Sequence, residues 1–210
     1  MKRLSDLFRG KSPEKEEAVT CAPTVDGLIQ QLEARDGVTR ERARHALASM
    51  GNKAVEPLLA VLTHKKSSVR YEAAMCLREI GDRRAIRGLV EALGDSSFEV
   101  RWVAAEALID LGRAAVPAVL HALLHHADST WFRNGSHHVL SHFAGLDLHS
   151  AYHVEHHPAW VDYDLREVLR PVMQALDDSG VASRAPVAAM RAMEHFPAAT
   201  ARLDRHVQPH

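Results

Sequence analysis

Ten of the fifteen histidines in this chain fall between positions 121 and 157: His121, His125, His126, His137, His138, His142, His149, His153, His156 and His157. Neutral imidazole is the commonest metal ligand, and its charge changes near neutral pH. His121/His125, His138/His142 and His153/His157 are each four apart. On a helix that spacing puts both rings on one face, where they can share an ion. The best ligand set is His137, His138, His153, Glu155, His156 and His157, a donor chemistry that suits Zn²⁺, Fe or Ni. The same residues also make a polar, pH-sensitive binding surface that needs no cofactor. The chain has no serine–histidine–acid arrangement, phosphate loop, dinucleotide fingerprint or zinc-ribbon cysteine pair. A binding role therefore ranks ahead of an enzymatic one, with a metalloprotein as the alternative.

The elements that must position these residues are written as a repeat. Residues 69–93 read VRYEAAMCLREIGDRRAIRGLVEAL, and the pattern returns as VRWVAAEALIDLG from Val100. Aligning Thr39-Arg40, Val69-Arg70, Val100-Arg101 and Phe132-Arg133 gives offsets of 30, 31 and 32 residues. Leu47, Leu77, Leu108 and Leu140 then coincide, as do Ala43, Ala73, Ala104 and Ser136. Gly51, Gly81 and Gly112 fall where the first helix of each unit should end, a place that often needs positive φ. Second helices follow as AVEPLLAVL, AIRGLVEAL and AVPAVLHAL, with Pro57 and Pro117 expected in their first turns.

Two amphipathic helices per unit of about 31 residues is the signature of a solenoid. The fold expected is all-α, an α-solenoid of about four to five stacked helical hairpins with a His-rich insertion near residues 145–162. Residues 1–22 read as a disordered tail. Residues 23–206 divide into a partial opening unit (23–38), units at 39–67, 68–98 and 99–129, a unit with the insertion (130–178) and a cap (182–206).

Laid over residues 130–162, the template finds misfits. His137 takes the position of Ala74 and Ala105, so it must be hydrogen-bonded, ligated or displaced toward an opening. His138 takes the position of Met75 and Glu106, and Asn134-Gly135 replaces larger residues. The insertion AGLDLHSAYHVEHHPAWVDYD stands where a short turn is expected, and long loops in compact arrays are usually functional. The unit's second helix is expected to resume at LREVLRPVMQAL, with Pro171 inside it.

The recurring Arg40, Arg70, Arg101 and Arg133 read as structural forks onto neighbouring carbonyls and carboxylates, with Asp95 and Asp128 as plausible partners. Partner contact is expected on a concave face of second helices, through Glu56, His64, Arg87, Glu91, His121 and His125. Trp131, Tyr152, Trp160 and Tyr163 are expected in or near a lip made by the insertion, since aromatics anchor interfaces.

VRYEAAMCLREIG and VRWVAAEALIDLG resemble HEAT-like repeats of the phycobilisome-lyase type, closely over residues 25–143 and loosely over 163–206. The resemblance implies an interaction scaffold or adaptor binding a protein partner. It also suggests a bilin lyase or chaperone, ranked last because nothing marks a tetrapyrrole thioether site. Deoxyhypusine hydroxylase, a di-iron enzyme of similar repeats, takes its ligands from His-Glu steps at the start of its first helices. The corresponding steps here are Glu41-Arg42, Tyr71-Glu72, Trp102-Val103 and Asn134-Gly135, so that activity is not implied.

Composition agrees with a helical, soluble scaffold. Twenty-six basic residues meet 27 acidic ones, which leaves no electrostatic footprint for nucleic acid. No apolar run reaches membrane-spanning length, and the N-terminus lacks the h-region of a signal peptide. Two cysteines, Cys21 and Cys76, make no disulfide framework, and Cys76 sits at a core position of the repeat, so a cytoplasmic setting is expected.

Overall fold

Polar residues start the helices by accepting the N–H groups that a first turn leaves unpaired. Thr24 accepts from Gly27 at 3.1 Å to open α1 (Val25–Gln31), and Asp36 accepts from Thr39 at 2.8 Å to open α2 (Gly37–Met50). The chain continues through α3 (Asn52–Val61), α4 (Ser67–Ile80), α5 (Ile86–Ala92), α6 (Phe98–Asp110) and α7 (Val116–His126). Ser129 then caps α8 (Thr130–Phe143), accepting from Phe132 at 3.2 Å, and α9 (Tyr163–Asp177) and α10 (Arg184–Met193) complete the array. These elements come from a computed structural model that describes residues 23–145, 163–178 and 184–196, and among the described residues there is no strand. The tail 1–22 and the insertion 146–162 lie outside them.

The expected solenoid is present. α2, α4, α6 and α8 pack side by side in one layer. The second helices form the other, with α3 against α4, α5 against α6 and α7 against α8. α4 buries Val69, Ala73, Ala74, Cys76 and Leu77, and α6 buries Val100, Ala104, Ala105, Ala107 and Leu108. The alanines let the two backbones approach, while Leu77 and Leu108 fill the space between the layers. Burial of each such leucine contributes about 2 kcal/mol. Gly81 ends α4 in the left-handed region, with φ 66° and ψ 24°, where a side chain would be strained.

Two local features differ from the sequence expectation, and the packing explains a third. Pro57 is not in a first turn: α3 already starts at Asn52, so the proline lies in mid-helix, and the Lys53 carbonyl it leaves unpaired belongs to an exposed residue that water can serve. α9 packs on α8, but α10 rather than α9 lies against α7. The last two described helices therefore form a hairpin of their own, with α9 extending the first-helix layer. α9 also runs through Pro171, which is exposed. Gly135 has a packing reason: a β-carbon there would stand 3.1 and 3.3 Å from the Leu93 side chain, which would have to give way by a few tenths of an ångström.

Candidate interaction surface

The repeat fixes the arginines first. Each sits in the first turn or so of a first helix and donates from Nη1 to the carbonyl six residues back, in the turn that closes the preceding second helix: Arg40 to Ala34, Arg70 to His64, Arg101 to Asp95 and Arg133 to Ala127. These bonds pair carbonyls that a helix end leaves open. The rest of each fork differs. Arg40 Nε donates to Glu72 at 3.1 Å, and Arg70 Nε and Nη2 clasp both carboxylate oxygens of Asp95 at 2.6 Å each. Arg133 Nη2 donates to the Thr130 hydroxyl at 3.1 Å rather than to Asp128. Asp95 also accepts from the Ser97 backbone at 2.8 Å, and it owes a lowered pKa to the Arg70 and Ser97 bonds, which outweigh the opposing effect of burial.

A second ladder of charges crosses the outer side of the first helices. Glu72 is buried between Arg40 and Arg44, and Arg44 reaches on to Glu79 at 2.8 Å. Arg78 pairs with Asp110 and, at 3.6 Å, with Glu106. Glu106 in turn accepts from His138 Nε2 at 3.0 Å, and that bond is the first cause holding its carboxyl below the ordinary range. The acceptor is a carboxylate, so Nε2 carries the hydrogen.

The histidines separate onto different neighbours. His137 Nε2 stands 3.0 Å from Asp177 of α9, while His138 faces α6 and stacks on Trp102 with ring centroids 4.9 Å apart. His137 is half-buried, not sealed like Ala74 and Ala105, and Arg44 occupies its position in the first unit. That slot carries a basic residue type, Arg44 or His137, in the first and fourth units and alanine between. Among the described residues no three His, Cys, Asp or Glu side chains gather as a metal site. His153, Glu155, His156 and His157 lie outside the described residues, as do Tyr152, Trp160 and the side chain of Tyr163.

The second helices leave several polar residues accessible. Glu56, Arg87, Glu91 and His125 are exposed, and His121 is half-buried with its ring 5.4 Å from that of His125. His64 is half-buried too: its Nδ1 accepts from the Lys66 backbone and its Nε2 lies 3.7 Å from Glu33. Glu56 lies 3.9 Å from Arg84, and Glu91 3.7 Å from His126.

An aromatic patch lies on the other layer. Phe98, Trp102 and Trp131 are 63%, 48% and 48% exposed. The Phe98 and Trp102 rings stack at 6.2 Å, and the Arg101 guanidinium lies over Trp131 at 4.9 Å and over Phe98 at 5.8 Å. Trp131 was expected near the insertion, and it stands in the first turn of α8 beside Arg101. Phe98 and Trp102 were not among the expected contact residues. Their signal was readable: Phe98 aligns with Ser67 and Thr130, positions that face water, and Trp102 aligns with Glu41 and Asn134.

A family of HEAT repeats matches residues 25–109 and 68–141, and over that span the chain belongs to it. Two solved structures, both described as engineered proteins, are similar. One is 23% identical over 80% of this chain and 77% of its own, with a TM-score of 0.36. The other is 22% identical over 81% of this chain and 97% of its own, with a TM-score of 0.33. No curated protein matches. No described helix is long and apolar enough to cross a membrane.

Proposed function

We propose that this protein is a non-enzymatic scaffold or adaptor that holds a protein partner on its second-helix face, with the His-rich insertion as a lip. The supporting observation is the repeat array itself. It stacks short helices that leave Glu56, Arg87, Glu91 and His125 exposed across three units. Glu56, Arg87 and Glu91 bring both charge signs to these helices, which suits steering and register more than raw affinity. The phycobilisome-lyase subtype adds no chemistry to this reading. Cys76 is buried and its thiol is pushed up to about 12, mainly by burial, so it offers no thiolate for a thioether bond.

The test is site-specific photo-cross-linking from positions 87, 91 and 125 of the full chain in its own cell extract, repeated with R87E/E91K and with residues 145–162 deleted. A discrete protein adduct, lost in the charge-reversed chain and weakened by the deletion, is the expected result. Adducts that ignore both changes overturn it. A stoichiometric metal in untagged protein, lost in H137A/H138A, would replace the scaffold with a metalloprotein.

A further inference from the structure

Arg70 and Arg101 are the same residue of successive repeats, yet among the described residues only Arg70 has its fork filled. Arg70 holds Asp95 by two bonds. One repeat on, the position of Asp95 is taken by Ala127. Arg101 spends Nη1 on the Asp95 and Ser96 carbonyls, at 2.7 and 3.1 Å, and its Nε and Nη2 have no acceptor among the described residues. Asp128, aligned with Ser96, makes no ion pair with it. Around this open fork stand the most exposed aromatic rings of the described residues. Phe98 and Trp131 flank the guanidinium, and Trp102 continues the surface toward His138.

We infer that Phe98, Arg101, Trp102 and Trp131 form a docking surface for an acidic linear segment of a partner protein, in which an Asp or Glu carboxylate takes the place that Asp95 fills against Arg70 and a neighbouring apolar side chain covers the aromatic rings. Three features favour that chemistry. Arginine offers a planar fork matched to a carboxylate, and its Nη1 bonds and the neighbouring rings already restrain it, so less side-chain freedom remains to be lost. Carboxylate–guanidinium bonds are among the stronger hydrogen bonds, and among the described residues Arg101 lacks the carboxylate that Asp95 gives Arg70. Tryptophan and arginine are also the residue types that dominate binding energy at interfaces. The inference rests on the protein-binding role proposed above but uses the first-helix layer, not the second-helix face.

The repeat itself supplies the discriminating variant. A127D puts at the end of unit 99–129 the carboxylate that Asp95 supplies at the end of unit 68–98, and so fills the fork from within. Random peptides of about 16 residues, displayed on phage, are selected on the full chain and depleted on A127D. The enriched sequences are expected to carry Asp or Glu close to Trp, Phe, Leu or Pro. The best of them, labelled with fluorescein, should bind about tenfold or more weakly to A127D, to R101K and, as its Glu→Gln copy, to the unaltered chain. R101K keeps the charge and loses the fork, so the result does not hang on the folding of A127D, which circular dichroism checks. The inference is overturned by enrichment without carboxylates, by no enrichment, or by equal binding to both variants. Binding that emerges only when residues 1–22 are removed would give the site to the chain's own tail. Dimers that A127D dissociates would give it to a second copy. Any of these results leaves the cross-linking on the second-helix face free to succeed or fail on its own.

Discussion

Asp95 is the residue on which two repeats are joined, and removing it is the sharpest perturbation of the fold. Its carboxylate accepts Nε and Nη2 of Arg70 and the Ser97 N–H, and its carbonyl accepts from Arg101. The Arg70 and Asp95 side chains are only 11% and 9% exposed. Truncating one member of a buried pair leaves the other charge desolvated, at a cost of about 3–5 kcal/mol. Partial exposure of this pair puts D95A near the low end, about 3 kcal/mol. R70A should cost a similar amount, because it also frees the His64 and Lys65 carbonyls. The double variant loses the pair once, so the coupling should be about 2 kcal/mol. Urea unfolding followed by circular dichroism reads this directly. At a slope of about 2 kcal/mol/M, D95A shifts the midpoint by about 1.5 M. The sign with pH follows from the lowered carboxyl of Asp95: its stabilisation is complete above the ordinary value of 3.8 and is lost as pH falls through the lower folded value. D95N should remove that part of the acid transition. A coupling below about 0.5 kcal/mol would refute the argument, since the pair would then be no better than an exposed one.

Glu106 gives a second pH test. His138 holds its carboxyl below the ordinary 4.5, so its contribution is present above that value and lost as pH falls below it. Acid unfolding of E106Q, or of H138A, should therefore be shallower than that of the unaltered chain. Cys76 should resist alkylation in the folded C21S chain and react at once in guanidinium, because both burial and the high pKa suppress the thiolate; rapid labelling in native buffer would show that the α2–α4 layer opens. G135V should destabilise by about 1–3 kcal/mol through the contact with Leu93, measured by thermal melting, and an unchanged Tm would mean that α8 can shift.

The histidines show where sequence reading reaches its limit. The template flagged His137 and His138 as misfits, and both do carry polar partners. It did not separate them, because adjacent residues on a helix point about 100° apart and the partners come from α6 on one side and α9 on the other. Comparison with Ala74 and Ala105 also hid Arg44, which already puts a cation in the same slot at the first unit. The forks of Arg40, Arg70, Arg101 and Arg133 were legible as structural features, since their spacing follows the repeat. Which of them is open was not, for it depends on a residue at the far end of the unit, Asp95 or Ala127, and on how the fork meets it.

The sequence by itself determined that this chain is an array of helical hairpins: the 31-residue recurrence, the apolar stripes and the glycines are local signals, and stacking is the one way such units can bury their faces. Tertiary structure alone decided that α10 rather than α9 lies against α7, that Gly135 makes room for Leu93, and that Arg101 of α6 lies over the Trp131 ring of α8. Each of these joins residues of different helices or repeats, and such contacts follow from how layers pack rather than from any local pattern.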